Sequence, residues 1–503
     1  MSQETYYITT AIAYVNGRPH IGHAMEMLQA ECLARYNRLI GNDTYFLTGT
    51  DEFGSKVYKT AEDAGISVEK LVDQNVIPFQ ELTTKLNLSH DQFIRTSSAQ
   101  HRTGAQKLWQ KLVDNNDIYK DTYEGLYCIG CETYLGPKEL EDGKCAIHKK
   151  EPELIKEENY FFKLSKYNDQ IKELITSDKL KIHPEARRNE ILAQLERGLH
   201  DISFSRPKSA LPWGVEVPND SDHVMYVWCD ALSNYITALD FEHDSALFQK
   251  YWPAQMQVIG KDILRFHAGI WIGMLLAAKL PIPEAIGVHG FMTSEGHKMS
   301  KSLGNVIDPF DIIDQYGVDP VRYYLLKEIP TADDGDFNHD RFKEVHQSDL
   351  ANNLGNLFSR VTAMLQKYND GKTLELKASE ALTQSLETAW QTYHHQLKQF
   401  DLKKAAEAIM QLLDFGNKYI EQNQPWTLAK TEPEHANQIL TELIELLRHS
   451  SIMLTPYLPQ TAAVIQERLN YVPTADFQTS IKTPLPQGHE ISKGESLFPR
   501  IES

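Results

Sequence analysis

The sequence predicts an α/β protein in which a doubly wound parallel domain is split by an insertion and followed by an all-α bundle. Three observations lead to this prediction. A strand–turn–helix–strand rhythm opens the chain and resumes after about residue 225. A cysteine-bearing segment interrupts that rhythm, and apolar residues at helical spacing dominate after about residue 345. A chain of 503 residues is long enough for two to four domains.

The first half of the doubly wound domain is expected over residues 1–114. Residues 6–13 are rich in β-branched and aromatic side chains, which indicates a strand, and a turn follows at residues 16–17. Pro19 opens a helix that runs to about Ile40, and residues 44–48 form a second strand. This order of elements is how a doubly wound domain begins.

The second half is expected over residues 226–345, where short strands at 257–260 and 285–289 enclose a helix at 263–279. The intervening residues 115–225 break the rhythm with three of the five cysteines, a charged run and scattered Pro and Gly. We interpret them as an insertion that joins two halves of one nucleotide-binding domain.

The last part of the chain, residues 346–503, is predicted to be helical. Leu350, Leu354 and Leu357 begin a series of apolar residues spaced three or four apart, and Gly and Pro are sparse there. Residues 484–503 form an irregular strap at the end. The chain therefore finishes in an all-α bundle.

The charge balance is acidic, with a formal net charge of −18 from 69 acidic and 51 basic residues. It argues mildly against a nucleic-acid partner, although a local basic patch would be enough to bind one. No apolar stretch is long enough to span a bilayer, and the N-terminus lacks the pattern of an export signal. We expect a cytoplasmic protein without a membrane partner.

A first motif, His20-Ile21-Gly22-His23, falls where the first turn of the first helix is predicted. Its spacing places both imidazoles on one helix face. A helix N-terminus offers free backbone N–H groups and a partial positive charge, which favour a phosphate, and Gly22 leaves room for a ligand. Such a short motif often occurs by chance, but its place directly after a strand and a turn indicates a nucleotide site.

A second motif, Lys298-Met299-Ser300-Lys301-Ser302, lies between Gly296 and Gly304. Glycines at both ends suit a loop that opens and closes. Its two lysines can neutralise charge that develops on transferring phosphates. Most Lys-Ser runs are solvated turns, but the pairing with the first motif favours a phosphate-binding loop.

Together the two motifs resemble those of class I aminoacyl-tRNA synthetases, in form and in order. The resemblance implies a Rossmann-type catalytic domain in which an amino-acid carboxylate attacks the α-phosphate of ATP, pyrophosphate leaves, and the acyl group moves to the 3′ end of a tRNA. It also implies that His20 and His23 stabilise the transition state, that Lys298 and Lys301 hold the β- and γ-phosphates, and that Mg²⁺ accompanies ATP.

Within that class, nearly the whole chain resembles the methionyl-tRNA synthetase family. The matching segments are residues 11–14 with 16–17, 48–52, 226–231 and 260–271. The resemblance implies a methionine pocket lined by Ile12, Tyr14, Trp228, Tyr235 and His267, with Asp51 pairing to the substrate ammonium group, and it assigns ATP contacts to Gly22, Gly260, Asp262, Lys298 and Lys301. Aromatic side chains suit a thioether substrate. Trp271 fits a pocket or a core equally well, and Ala13 and Leu232 stand where some relatives have proline.

The cysteines of the insertion form the pattern Cys128-x-x-Cys131, thirteen residues, Cys145-x-x-His148. Two close pairs of this kind are typical of a zinc knuckle, and four protein ligands imply a structural metal. The alternative is a loop with unpaired thiols. The resemblance agrees with one zinc, because methionyl enzymes often carry knuckles in this insertion.

Three residues of the helical part match those that read the anticodon in methionyl enzymes: Asn356, Arg360 and Trp426. Asn356 and Arg360 are four apart on one helix face, although Asn356 alone could be an ordinary exposed residue. The resemblance therefore implies that methionine tRNAs are partners, with Trp426 stacking on an unpaired base. The chain ends where many relatives begin a linker to a dimerising domain, so we expect a monomer.

Rival functions fit less well. A cysteine or glutamate ligase matches the segments around Trp228 and Gly260 more poorly. Synthetases for valine, isoleucine and leucine carry a large inserted editing domain, for which the insertion of about 110 residues is too short. An adenylyltransferase or ligase that does not act on tRNA would not need the bundle. A non-catalytic tRNA-binding paralogue would be expected to lose His20, His23 or Lys301, and all three are present.

Overall fold

The computed structural model describes residues 4–128, 133–135, 140–146, 149–299, 305–474 and 476–500. The first part contains β1 (Thr5–Thr10), β2 (Ala13–Tyr14), α1 (Ile21–Leu39), β3 (Asp43–Asp51), α2 (Ser55–Ala64), α3 (Val68–Lys85), β4 (Gln92–Arg95) and α4 (Ala99–Asp114). The next contains β5 (Ile118–Cys128), β6 (Thr133–Leu135), β7 (Leu140–Glu141), β8 (Lys144–Cys145), β9 (Glu153–Phe162), α5 (Asn168–Thr176), β10 (Lys181–His183), α6 (Glu185–Glu196), β11 (Ile202–Ser203), β12 (Ser205–Pro207), β13 (Glu216–Val217) and β14 (Asp220–Met225).

The second half of the chain follows in the same way. It contains α7 (Val227–Ala231), α8 (Asn234–Thr237), α9 (Ala246–Tyr251), β15 (Met256–Gly260), α10 (Ile272–Ala277), β16 (Ala285–His289), β17 (Met292–Ser294), β18 (His297–Lys298), α11 (Pro309–Tyr316), α12 (Val318–Tyr323), β19 (Gly335–Phe337) and α13 (His339–Val345). The bundle comprises α14 (Asn356–Asn369), α15 (Glu380–Lys398), α16 (Leu402–Asn423), α17 (Pro425–Leu428), α18 (Pro433–Leu454), α19 (Pro459–Arg468) and α20 (Phe477–Lys482). Short 3₁₀ turns occupy Leu164–Tyr167, Phe241–His243 and Lys261–Ile263, and π-helical turns occupy Phe266–Trp271, Tyr324–Glu328 and His346–Gly355.

A parallel sheet forms the centre of the first domain. Its strands run in the order β10–β16–β15–β1–β3–β4, and the short β2 continues beside the end of β3. Every pairing in it is parallel, and Ile8, Val258 and Ile286 are fully buried, as expected for a sheet covered on both faces. The strand order reverses between β1 and β15, so a crevice is expected at their carboxyl ends. The predicted α/β fold is confirmed.

The stretch expected to be one insertion, residues 115–225, contributes a strand to this sheet. β10 pairs with β16, with Ile182 beside Ile286. The remaining described strands of the stretch form separate antiparallel sheets, the longest pairing being β5 with β9. The expected range is therefore not a single separate module. A strand of three residues with a proline directly after it carries too little pattern to be recognised in the sequence.

The helix expected over residues 263–279 is a composite. It begins with the Lys261–Ile263 turn, widens into the Phe266–Trp271 π-helical turn and becomes regular only in α10. π-helical turns of this kind are frequent at functional sites, because they turn side chains in a direction that an α-helix does not offer. Here the widened turn carries His267.

Several helices begin at polar caps that the sequence supplies. The Ser98 and Ser379 hydroxyls accept backbone N–H groups at the starts of α4 and α15, each at 3.3 Å. Asp308 accepts the Phe310 N–H at the start of α11, at 2.9 Å. Such caps satisfy donors that the first turn of a helix leaves without partners.

The bundle and the sheet domain share one continuous apolar core, which includes Phe46 and Leu47 from the sheet and Leu357, Leu413 and Leu446 from the bundle. α16 is central, because it packs against both α15 and α18. Within the part of the chain that is described, no helix is long and apolar enough to cross a membrane.

Candidate active site

The first motif lies at the start of α1, directly beyond the carboxyl end of β1. His20 is the N-cap residue rather than a member of the first turn, and its Nδ1 accepts the Gly22 N–H at 3.1 Å. His23 Nδ1 accepts the His20 N–H at 3.1 Å, and the two rings lie 3.9 Å apart between centroids. An Nδ1 atom that accepts a backbone N–H carries no proton, so each ring proton is on Nε2.

This arrangement corrects the expectation that the first-turn N–H groups await a phosphate. The Ile21 N–H donates to the Ile307 carbonyl at 3.1 Å, and the His23 N–H to the His20 carbonyl at 2.9 Å. Together with the two caps, these bonds engage the backbone donors from His20 to His23 within the protein. The donors that the motif can present to a phosphate are therefore imidazole Nε2–H groups.

Burial also makes His23 a neutral hydrogen-bond donor rather than a cation. Desolvation, with His20 and His289 nearby, holds the pKa of His23 well below its ordinary value. The ring is neutral at physiological pH and can act as a hydrogen-bond donor without carrying charge.

Gly22 has a different role from the one expected. A Cβ at this position would lie 2.9 Å from Cε1 and 3.0 Å from Nδ1 of His20. Glycine is therefore needed so that the His20 ring can fold back over the start of α1, and the space is taken by this ring rather than kept for a ligand.

The segment after the second motif docks against the first motif. Besides the bond between Ile21 and Ile307, Arg18 lies 3.8 Å from Asp308. The backbone of Lys298 belongs to β18, where it pairs with Thr293. Lys301 lies outside the described residues, and nothing is described of the Lys298 side chain. The regions around the two motifs are nevertheless neighbours.

Asp336 anchors the hairpin that leads into the second motif. One of its carboxylate oxygens accepts the Thr293 hydroxyl at 2.7 Å and the Gly296 N–H at 2.8 Å. Gly296 has φ +76°, which favours glycine in the turn. The base of the hairpin is thereby fixed before the lysine-bearing residues begin.

A buried, hydrogen-bonded pair of titratable residues, which the sequence did not reveal, lies near His23. His289, at the end of β16, places Nε2 2.8 Å from a Glu26 carboxylate oxygen on α1, and its Nδ1 lies 2.8 Å from the Gly290 carbonyl. Burial alone would lower the pKa of His289, but the hydrogen bond and charge of Glu26 raise it overall. Glu26 follows His23 by three residues, and this spacing was the only indication of it in the sequence.

Gly260 and Asp262 lie at the carboxyl end of β15. A Cβ on Gly260 would meet Asp262 Oδ1 at 2.9 Å and His289 Cε1 at 3.6 Å, so the backbone is closely approached here. Asp262 also contributes to the raised pKa values of Glu26 and His289. Gly260 and Asp262, two of the residues expected to contact ATP, are therefore next to the Glu26–His289 pair.

The aromatic pocket is organised around His267. The Tyr235 hydroxyl lies 2.7 Å from His267 Nε2, and Nδ1 of the same ring lies 3.0 Å from the Ile263 carbonyl. A carbonyl only accepts, so Nδ1 carries the proton and Nε2 accepts from Tyr235. Burial lowers the pKa of His267 to about 4, so the ring is neutral.

Three further aromatic residues, Trp228, Phe266 and Trp271, lie around His267 and Tyr235. Trp228 is half-buried and stacks on Phe266, with centroids 4.0 Å apart and planes 6° apart. Trp271 is fully buried, with its ring 5.8 Å from Tyr235 and 5.9 Å from Trp252. Trp271 therefore belongs to the core and also contacts the pocket wall. Phe266 was missed in the sequence, where it reads as an ordinary core residue.

The other residues expected in the methionine pocket lie at the ends of β2 and β3. Tyr14 is the register partner of Asp51, which is buried and whose carboxylate accepts the Phe53 N–H at 3.2 Å. The Lys56 ammonium lies 5.0 Å from the centre of the Tyr14 ring. Ile12 is half-buried just before β2. A carboxylate and an aromatic ring thus stand side by side at the crevice.

The candidate anticodon residues gather at one end of the bundle. The Arg360 guanidinium lies 5.7 Å from the centre of the Trp426 ring and donates to Glu421 Oε1 at 2.7 Å. Asn356 is exposed one turn earlier on α14. The structure therefore brings Arg360 and Trp426 into contact, with Asn356 beside them.

The cysteine pattern is only partly described. Cys128 and Cys145 are both buried and form, with Leu135, a small apolar cluster separate from the main core. A turn follows Cys145, whose carbonyl accepts the Lys149 N–H at 2.8 Å. Two buried thiols beside a tight turn fit a zinc knuckle. Cys131 and His148 lie outside the described residues, within which no group of three or more possible ligands is found.

Comparisons with known proteins agree with this geometry. The family profile described as "tRNA synthetases class I (M)" matches residues 6–139 and 130–362. The profile described as "Anticodon binding domain of methionyl tRNA ligase" matches residues 370–503. Together they cover most of the chain.

Two methionine–tRNA ligases match over nearly their full length. The methionine–tRNA ligase of Brucella suis biovar 1 is 42% identical over 510 residues, which cover 99% of this chain and 98% of the relative. The methionine–tRNA ligase of Rickettsia bellii is 40% identical, with 99% of both chains covered. Among solved structures, Mycobacterium tuberculosis methionyl-tRNA synthetase in complex with methionyl-adenylate matches with a TM-score of 0.94 at 38% identity, covering 99% of this chain and 100% of that one. Its apo form matches with a TM-score of 0.88 at 35% identity, covering 100% and 99%.

Proposed function

Since the chain belongs to the methionyl-tRNA synthetase family of class I and is an ATP-dependent methionine–tRNA ligase, we propose which of its residues carry each step. The reaction has two steps. The methionine carboxylate attacks the α-phosphate of ATP, which forms methionyl-adenylate and releases pyrophosphate, and methionine then moves to the 3′ end of its tRNA.

In the first step, His20 and His23 donate Nε2–H bonds to the α-phosphate as charge develops on it. Lys298 and Lys301 hold the β- and γ-phosphates, and Mg²⁺ enters with ATP. Gly22 supports this geometry by admitting the His20 ring. No covalent intermediate with the protein is needed, because positioning and charge stabilisation are sufficient.

Methionine occupies the pocket lined by Ile12, Tyr14, Trp228, Tyr235 and His267. Asp51 pairs with its ammonium group, which requires a carboxylate. A neutral His267 and aromatic rings form a soft, uncharged environment that suits a thioether.

One observation carries this assignment. The Lys261–Ile263 turn joins the two sites, because Asp262 on it faces the Glu26–His289 pair while the Ile263 carbonyl holds His267. ATP bound along Gly260 and Asp262 would therefore lie directly beside methionine, as adenylate formation demands.

The test is ATP–pyrophosphate exchange with each of the twenty amino acids. We expect exchange with methionine, with all others at least about 100-fold lower in kcat/KM. A stronger exchange with any other amino acid would overturn the assignment of the pocket.

In the second step, the tRNA spans both parts of the molecule. Asn356, Arg360 and Trp426 read the anticodon, with Trp426 stacking on a base. Residues 308–325 contact the inner corner of the tRNA between the two sites. We assign residues 1–114 and 226–345, together with β10, to catalysis and residues 346–503 to anticodon binding.

One zinc ion, held by Cys128, Cys131, Cys145 and His148, would stabilise the insertion without taking part in chemistry. The protein is further proposed to be a cytoplasmic monomer that charges methionine tRNAs without a membrane partner. Sedimentation at micromolar concentration should give one species near the mass of a single chain, and a stable dimer would contradict this.

A further inference from the structure

We propose that Arg322 is a positioning residue for tRNA charging, which sets the angle between the helical bundle and the parallel-sheet domain. A single tRNA must reach Trp426 and the His20–His23 site at the same time. The inference rests on the proposed anticodon role of Trp426, and it assigns the alignment of the two sites to one buried side chain.

The guanidinium of Arg322 bridges the two parts of the molecule. Arg322 lies on α12 and is fully buried. Its Nε donates to the Tyr457 carbonyl at 3.0 Å and Nη2 to the Pro456 carbonyl at 2.8 Å, both in the bend between α18 and α19. Its Nη1 donates to the Leu86 carbonyl at 2.9 Å, just after α3 of the sheet domain. One rigid fork therefore holds backbone groups from both parts.

The same guanidinium also reaches the helix that carries the catalytic motif. Nη1 of Arg322 lies 3.9 Å from Glu31 Oε1 on α1, and both side chains are fully buried. Glu31 lies in the middle of α1, and His20 caps the N-terminus of this helix. Arg322 therefore also holds α1 to the junction, and a lysine at this position would keep a cation beside Glu31.

On the bundle side, Tyr457 connects the Arg322 junction to α16, the helix that leads to Trp426. The hydroxyl of Tyr457, whose carbonyl binds Arg322, donates to the Leu402 carbonyl at the start of α16, at 2.8 Å. α16 has 22 residues and is therefore about 33 Å long. It ends just before Trp426, on α17. Arg322 thus contacts the middle of α1, whose N-terminus carries the phosphate donors, and is connected through Tyr457 to the start of α16, whose far end leads to Trp426.

Lysine could not replace this arrangement. Three carbonyls are held by three N–H groups in one plane, and an ammonium group on a flexible stem cannot reach them all. Arg322→Lys keeps the positive charge beside Glu31 but frees the carbonyls, so the two parts of the molecule can shift relative to each other. A misplacement of about 1 Å at a reacting group can cost up to about 100-fold in rate.

Arg448 offers a matched control. It is also fully buried, and it donates to Glu445 at 2.8 and 2.6 Å and to the Tyr471 hydroxyl at 3.2 Å, all within the bundle. Arg448→Lys removes a comparable set of buried bonds without touching the junction between the two parts. Both variants should lower the melting temperature.

The experiment compares three activities in each variant: methionine-dependent pyrophosphate exchange, charging of full-length methionine tRNA, and charging of an acceptor-stem minihelix without an anticodon. For Arg322→Lys we expect exchange and minihelix charging to stay within about twofold of wild type, while kcat/KM for full-length tRNA falls about tenfold or more. For Arg448→Lys, each of the three activities, divided by that of wild type, should be near one. Tyr457→Phe keeps the carbonyl that binds Arg322 but removes the bond to the Leu402 carbonyl on the bundle side of the junction, and it should lower full-length charging by about threefold.

Two outcomes would overturn the inference. An equal loss of exchange and charging in Arg322→Lys, or an equal loss of charging in Arg448→Lys, would reduce Arg322 to a stabilising residue. A double variant, Arg322→Lys with Trp426→Ala, distinguishes failure of the Arg322 proposal from failure of the anticodon assignment. Once Trp426 is gone, Arg322→Lys should add little further loss, whereas full-length charging that survives Trp426→Ala alone would refute the anticodon role itself.

Discussion

The Tyr235 hydroxyl donates to Nε2 of His267 across 2.7 Å, while Nδ1 of the same ring donates to the Ile263 carbonyl. His267 is therefore locked in one neutral tautomer. Tyr235 is locked as well, because its own carbonyl accepts the Tyr7 hydroxyl at 2.7 Å. The two side chains form a rigid, uncharged wall for the proposed methionine pocket, and such preorganisation lowers the cost of binding.

Tyr235→Phe removes the hydroxyl but keeps the ring. Because His267 loses the donor that orients it, we expect the KM for methionine in pyrophosphate exchange to rise about tenfold, with the KM for ATP within about twofold. Tyr45→Phe, which removes a hydroxyl on another part of the sheet domain, is the control and should change neither. A rise in both KM values for Tyr235→Phe would show that the hydroxyl supports the whole fold rather than the methionine pocket.

The low pKa of His267 has a consequence for acid stability. Its folded-state pKa of about 4 lies below the ordinary 6.5, so between these values the unfolded chain binds a proton that the folded protein does not. Stability from this group is complete above pH 6.5 and is lost as pH falls toward 4, by up to about 3 kcal/mol. Urea unfolding of wild type and His267→Gln at pH 7 and pH 4.5 should show a smaller loss in the variant. His200→Gln, at an exposed histidine, should behave as wild type, and parallel losses in all three proteins would contradict the argument.

Much of the site could be predicted from the sequence because its chemistry is local. The spacing of His20 and His23 survives any small error in the helix boundary, so the two rings could be placed together at the start of α1. A helix boundary that is wrong by one residue changes whether His20 is the N-cap residue, and the structure shows that it is. Because the His20 ring caps the helix, the first backbone N–H groups already have partners, and position 22 must be glycine to admit the ring.

Contacts across the fold could not be predicted in this way. Glu26 and His289 are 263 positions apart, and no local pattern pairs them. β10 is too short to be recognised, although it extends the sheet beside β16. The π-helical turn that aims His267 at Tyr235 is a departure from helical periodicity, which periodicity itself cannot reveal.

Gly22→Ala tests the packing of the His20 ring. The added Cβ would stand 2.9 Å from that ring, so the imidazole must move away from the start of α1. We expect the kcat of pyrophosphate exchange to fall at least about tenfold, although alanine favours a helix over glycine by about 1 kcal/mol and the melting temperature should not drop. At Gly269, an added Cβ meets no atom within 4 Å, so Gly269→Ala serves as the control. An unchanged kcat for Gly22→Ala would show that the position of the ring does not matter.

The cysteine cluster leads to a prediction about metal content. Elemental analysis of the purified protein should find about one zinc per chain, and Cys128→Ala should lose it because three ligands no longer close the shell. Cys32→Ala removes a buried thiol on α1, outside the insertion, and should retain the metal. Fully active wild-type protein without zinc would rule out the knuckle.

Trp426→Ala separates the two steps of the reaction. The ring lies at the far end of the bundle under the Arg360 guanidinium, so its loss removes a stacking surface for an anticodon base without reaching the pocket around His267. Stacking of this kind contributes about 1–3 kcal/mol, so kcat/KM for charging of methionine tRNA should fall by about 10- to 100-fold, with pyrophosphate exchange nearly intact. Trp426→Phe keeps an aromatic face and should recover part of the charging. Equal losses in both assays would show that Trp426 stabilises the fold, and full charging by Trp426→Ala would place the anticodon elsewhere.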